Sequence, residues 1–259
     1  MSGSDETVSL KSLYMSLTNE VDEFMAIPKL LRDTYTQALD RISASEIANS
    51  DKTVARNARD TLKNISDQSL RTNSTKYFEK LYEQTIVLLV SDAEYLLREV
   101  FSLLIEKTFD KSKLLGKRVS FSLEDIVKLG FPIEKEKLGE KVLEHVLEVR
   151  NPDEKISFQN IQSITQAFKS YFSLDICVSE ELKKSLHKFF QIRHVLLHQH
   201  GIADLRFIHN LDTVQVQHSY SVNKTVSVQE KDYKECKQTF IKFFEQLDLS
   251  FIARAKNGA

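Results

Sequence analysis

The sequence predicts an all-α protein, on three observations. Six glycines and three prolines in 259 residues are too few to punctuate a turn-rich β fold. Leucine, lysine and glutamate, all good helix formers, are abundant. Apolar residues recur at helical spacing through most of the chain. At 41% hydrophobic and 28% charged, the composition is that of folded globular material and not of a disordered tail.

Residues 8–26 carry Val8, Leu10, Leu13, Tyr14, Leu17, Val21 and Phe24, a helical period. Pro28 breaks or restarts that helix, and Leu30, Leu31, Tyr35 and Leu39 continue it. Residues 48–75 are polar and poor in large apolar groups. They divide the chain into an N-terminal helical extension (1–47), a linker (48–75) with one weak helix near Val54–Ile65, and a main helical domain (76–259).

The main domain opens with a long helix, about Lys76–Thr108. The centre of this helix, Thr85 to Phe101, is apolar almost all round and therefore expected to be enclosed by neighbours. Shorter helices are predicted over Phe121–Leu129, Leu138–Val149 and Ile161–Phe172, the first two stopped by Gly130/Pro132 and Asn151-Pro152. Ser179 offers an N-cap, and Glu180 and Glu181 suit the positive end of the next helix dipole. That helix runs to a glycine stop at Gly201. A turn of helix is expected in Ile202–Asn210. Val214–Val222 and Thr225–Val228 alternate at period two around Asn223-Lys224, which reads as a small β-hairpin inserted before the last helix, Lys231–Ala253.

Several function classes drop out. The net charge of −1 leaves no global basic field for non-specific nucleic-acid binding, so any RNA contact must be a local patch or one assembled between subunits. Cys177 and Cys236 form neither a disulfide framework nor a zinc motif, and a reduced, cytoplasmic setting fits them best. The polar, acidic start of the chain does not read as a secretory signal, and the apolar run Thr85–Val90 is too short to span a bilayer, so no membrane partner is expected. No phosphate-binding glycine loop or nucleophile elbow occurs.

Chemistry concentrates in Gln191–Gly201, where Arg193, His194, His198 and His200 meet the helix stop. Arginine keeps its charge and grips phosphate with a planar fork, while histidine exchanges protons near neutrality. Together they suit phosphodiester chemistry without a metal or other cofactor. His187, His194 and His198 share one helical stripe. Arg193 and His198 stand roughly 140° apart on a regular helix, awkward within one chain and sensible across a symmetric dimer. A bland account also exists: Arg193 pairs with an acid, and His198 settles on the helix C-terminus.

Arg193-His194-Val195-Leu196-Leu197-His198 resembles the Arg-polar-x3-His signature of the HEPN domain superfamily. The tail with Gly201 and Asp204 resembles that of stand-alone HEPN ribonucleases of prokaryotic defence and toxin systems. Ser91-Asp92-Ala93-Glu94 resembles the Ser-x-x-Glu stretch of their first core helix. The likeness covers about residues 76–255. It implies a HEPN-like helical bundle that dimerises with two motifs facing one cleft and cuts RNA without metal. Asparagine or aspartate is common after the arginine, and His194 stands there in this chain.

On that likeness, His198 is the general base or acid, Arg193 stabilises the transition state, and His194 orients the phosphate. Glu94 either holds Arg193 or a histidine in place from the neighbouring helix, or pairs Arg98 four residues on. His200 and a basic loop holding Lys111, Lys113, Lys117 and Arg118 are RNA-binding candidates, the loop being equally readable as solvated surface. The expected partners are RNA, a second copy of the chain, and an antitoxin or other regulatory protein. Two rivals stand beside this reading. His194-x3-His198 has the i, i+4 spacing of zinc-binding helices. A non-catalytic HEPN-like dimeric module for protein or RNA binding also fits.

Overall fold

A computed structural model describes residues 9–19, 21–23, 25, 26, 37, 72–109, 157–176 and 179–256. Six helices organise them: α1 (residues 10–19), α2 (Thr72–Phe109), α3 (Ile161–Phe172), α4 (Glu180–His198), α5 (Leu205–Thr213) and α6 (Glu230–Lys256). Among the described residues there is no strand, and none of the helices is long and apolar enough to cross a membrane. The all-α expectation holds. The region 110–156, with its two expected helices and basic loop, lies outside the described residues, as do residues 38–71 with most of the proposed linker.

Local chemistry explains the helix ends. Asn160 caps α3 by accepting the Ser163 N–H at 2.7 Å. The left-handed Ser173 (φ 51°) then closes that helix with its N–H on the Lys169 carbonyl. Ser179 caps α4 as expected, its Oγ accepting from the Leu182 N–H at 3.2 Å. Asp204 caps α5 in the same way, from the Phe207 N–H at 2.7 Å. The start of α1 takes its acceptors from afar. Asp248 on α6 receives the Leu10 and Lys11 N–H groups at 2.8 and 3.1 Å, which places a carboxylate at the positive end of the α1 dipole.

Helix α4 is the hub. It packs on α2, α3, α5 and α6, and α2 and α6 also meet each other. Leu182, Leu186, Phe189, Phe190, Ile192 and Val195 bury one broad face of α4. On α2, Phe101 is fully buried in a cage of rings, with Phe158, Phe168 and Phe172 edge-on at 5.6, 5.4 and 4.9 Å. Tyr14 fastens α1 to this core. Its ring lies 4.9 Å from Phe244, and its hydroxyl donates to the Leu89 carbonyl at 3.1 Å. The enclosure of α2 is not complete: Leu88, Tyr95 and Leu103 stay about half exposed.

The β-hairpin expected in 214–228 is corrected by the structure. The two alternating stretches do not pair with each other. Thr225 instead forms an isolated antiparallel bridge with Ile202, just past α4. The Ala203 N–H donates to the Lys224 carbonyl, the Asn223 N–H to the Ala203 carbonyl, and the Val226 N–H to the Gly201 carbonyl, at 2.8–2.9 Å. The alternation has another origin. Val226 and Val228 both point into the core while their neighbours stay exposed, and left-handed turns at Gln215 (φ 56°) and Asn223 (φ 62°) interrupt the extended path. The turn of helix expected in Ile202–Asn210 is there, but it starts at Leu205, because Asp204 supplies its cap, and runs on to Thr213.

Candidate functional site

The last two turns of α4 carry the candidate residues. Helical periodicity turns Ile192 and Val195 into the core, sets Arg193 toward α2, and leaves His194, Leu197 and His198 exposed. The helix then stops abruptly. The Val195 carbonyl accepts both the Gln199 and Gly201 N–H groups, at 3.0 and 3.1 Å, while His200 (φ 54°) and Gly201 (φ 76°) adopt left-handed backbone. A β-carbon on Gly201 would meet Leu196 Cδ2 at an ordinary 3.7 Å, so backbone conformation and not space favours glycine there. His200 is held exposed at this bend.

The sequence-predicted residues fall into two couples. His194 and His198 stand side by side, ring centroids 4.8 Å apart. Arg193 reaches across to α2, its Nη2 donating to Glu94 Oε2 at 3.3 Å, with side-chain exposures of only 12% and 8%. Of the two partners open to Glu94 in the sequence, the ion pair goes to Arg193. Among the described residues no hydrogen bond or ion pair joins Arg193 to His198. Their angular separation on α4 persists in the fold. Lys117 and Arg118 lie outside the described residues.

The buried pair is under-satisfied. Glu94 Oε1, Arg193 Nε and Arg98 Nε are all buried without a hydrogen bond. Burial raises the Glu94 carboxyl above its ordinary value, and the charges of Arg193 and Arg98 only partly offset this. Arg98, whose guanidinium lies 5.9 Å from the centroid of the Phe158 ring, makes this a cluster of two cations and one acid. The i, i+4 spacing of Glu94 and Arg98 was its only sequence signal.

His194 titrates below the ordinary histidine value of 6.5. Partial desolvation of the ring against the protein surface is the main cause, and His198, Arg206 and Arg193 add positive charge nearby; Asp204 opposes them. Arg206 escapes a motif-based reading, since it belongs to the start of α5. The folded state disfavours the charged ring, so the His194 contribution to stability is present above pH 6.5 and fades as pH falls through its lower folded value. In a pH titration followed by proton NMR, the His194 Cε1–H resonance is expected to have its midpoint below 6.5, and Arg206→Ala to move it upward. A midpoint above 6.5 contradicts this electrostatic arrangement.

His187, on the same stripe, does a different job. It is buried, and its Nε2 donates to the Asn210 carbonyl at 3.1 Å, while Asn210 Nδ2 donates to Gln191 Oε1 at 2.9 Å. Burial holds the His187 ring toward its neutral form. This chain of bonds locks α5 onto α4. Among the described residues no three His, Cys, Asp or Glu side chains converge to hold a metal ion. Cys236 is buried on α6, and burial pushes its thiol well up, which makes it a poor nucleophile. Comparison with known proteins finds no family model, no curated protein and no solved structure that matches the chain.

Proposed function

We propose that this protein is a metal-independent endoribonuclease of the HEPN type, acting as a homodimer on RNA in the cytoplasm, in antiphage defence or as a toxin held by an antitoxin or similar regulator. The observation that carries the reading is the exposed His194–His198 couple at a helix end, with Arg193 held by Glu94 on another face of the same helix. His198 takes the proton from an RNA 2′-hydroxyl, or gives one to the leaving 5′-oxygen. The 2′-oxygen attacks phosphorus and the 5′-oxygen departs, which leaves a 2′,3′-cyclic phosphate and a 5′-hydroxyl. Arg193 supplies fixed positive charge to the phosphorane-like transition state, and Glu94 fixes its direction. His194, kept toward its neutral form, accepts or donates one hydrogen bond to orient the phosphate; His200 sits at the exit bend for the strand.

Two features support a composite site from two copies. Arg193 and His198 look in different directions on α4. Leu197, Ile202 and Leu205, 45%, 47% and 74% exposed, flank the histidines with apolar surface suited to a partner. One observation favours the second reading, a non-catalytic HEPN-like dimeric module: Arg193 is largely sequestered by Glu94.

The test uses a single-stranded RNA, and the same strand with one 2′-deoxy sugar at the mapped cleavage position, with and without excess EDTA. Cleavage of the all-ribose strand, unaffected by EDTA and blocked by the single deoxy sugar, is expected. Cutting at the deoxy position contradicts the mechanism. Loss of cutting in EDTA moves the chemistry to a metal held by His194 and His198.

A further inference from the structure

A polar cleft lies against the tail of the motif. It has a volume of about 290 Å³, and its lining includes Tyr220, Ser221, Lys224, Thr225, Lys231 and one acid, Asp232. The same backbone that forms its wall is tied to the segment leaving α4, through the Ile202–Thr225 bridge and the Ala203–Lys224 hydrogen bond of 2.9 Å. The cleft is therefore anchored a few residues beyond His198 and His200.

The charges around the cleft leave it cationic. The one acid in the lining, Asp232, is engaged by the Gln229 N–H at 2.9 Å and by Lys188 at 4.0 Å, and the nearby acids are paired, Glu230 with Lys234 at 2.7 Å and Glu235 with Lys188 at 2.9 Å. Among the described residues no acid lies within ion-pairing distance of Lys224 or Lys231. Both lysines are exposed, and three hydroxyls of Ser221, Thr225 and Ser227 stand with them.

Tyr220 gives this surface a rigid wall. Its ring stacks on His218 at 5.8 Å, 16° from parallel, and packs 5.3 Å from Phe207. His218 is held in turn by Asp212 at 3.1 Å. Burial, with Asp232 and Glu235 nearby, pushes the Tyr220 hydroxyl up to about 12, so it stays a donor throughout the physiological range. Among the described residues that hydroxyl makes no hydrogen bond. Two ammonium groups, several hydroxyl donors and a fixed phenol in one cleft match the oxygens of a phosphodiester.

We propose that this cleft is a second phosphate seat, which takes the sugar–phosphate backbone of the RNA strand beside the cleavage point at His198. The inference rests on the ribonuclease reading and adds to it a subsite that grips backbone without reading sequence. It also answers the near-neutral net charge: the cationic patch is local and sits beside the motif.

The test measures binding of a fluorescein-labelled single-stranded RNA 16-mer to the full-length His198→Ala protein, by anisotropy, across a range of KCl concentrations. Adding Lys224→Ala and Lys231→Ala is expected to weaken binding by about a hundredfold at 100 mM salt, the scale of two lost charge-assisted hydrogen bonds. The slope of log K against log salt should flatten by about 1.4, for two phosphate contacts on a single strand. Lys224→Arg with Lys231→Arg should restore both. A control pair of equal charge, Lys169→Ala on α3 with Lys242→Ala on α6, both exposed and outside the cleft, should change neither. If the cleft pair and the control pair behave alike while the parent binds RNA, the subsite is wrong and the nuclease reading stands. If the parent binds no RNA, both fall together.

Discussion

Replacing His198 with alanine is expected to lower RNA cleavage by about 10²–10⁴-fold, the range supplied by a positioned acid or base. The fold should not suffer. The His198 side chain is exposed at the last turn of α4, and its sole described ring contact is with His194. A circular-dichroism melt should therefore superpose on that of the wild type within a few degrees, the effect of a surface change of roughly ±0.5 kcal/mol. Arg193→Ala makes a contrasting variant. It should also lose cleavage, but it strands Glu94, which is buried and already has one oxygen without a partner, so stability falls with it. RNA cleavage no higher than the protein-free background for both wild type and His198→Ala, with intact fold and dimer, would identify the protein as the non-catalytic module.

The second large effect concerns the fold. Phe101→Ala is expected to destabilise the protein by about 3–5 kcal/mol, as removal of a fully buried phenylalanine does elsewhere. The ring is fully buried and meets Phe158, Phe168, Tyr171 and Phe172 at 4.9–5.6 Å, so it joins α2 to α3 and the residues just before it. Those neighbours cannot all collapse into the space left behind. Against a typical total of about 5–15 kcal/mol, the loss is a large part of what holds a domain together. Urea unfolding followed by far-ultraviolet circular dichroism measures it. A loss below about 1 kcal/mol contradicts the ring cage.

Which features were readable from sequence follows from how local their causes are. The bounds of α3, Ile161–Phe172, and the Ser179 cap of α4 depend on residues within one turn and were legible. The histidine couple is likewise a matter of i, i+4 spacing on one helix. Glu94 and Arg193 are 99 residues apart; spacing alone left Glu94 between two arginines, and only the packing of α2 on α4 decides it. The hairpin misread has the same root. Alternation at Val226 and Val228 signals burial on one side, but the partner for Thr225 is Ile202, brought there by the turn at His200-Gly201. Arg206, which bears on His194, belongs to a different helix and carries no spacing signal.

The most direct measurement is the chemistry of the cut ends. RNA treated with the wild-type protein, digested no further and analysed by mass spectrometry, is expected to carry 2′,3′-cyclic phosphate on the upstream fragment and a free 5′-hydroxyl on the downstream one. Fragments ending in a 3′-hydroxyl and beginning with a 5′-phosphate would contradict the account, because water and not the ribose would then have attacked the phosphorus.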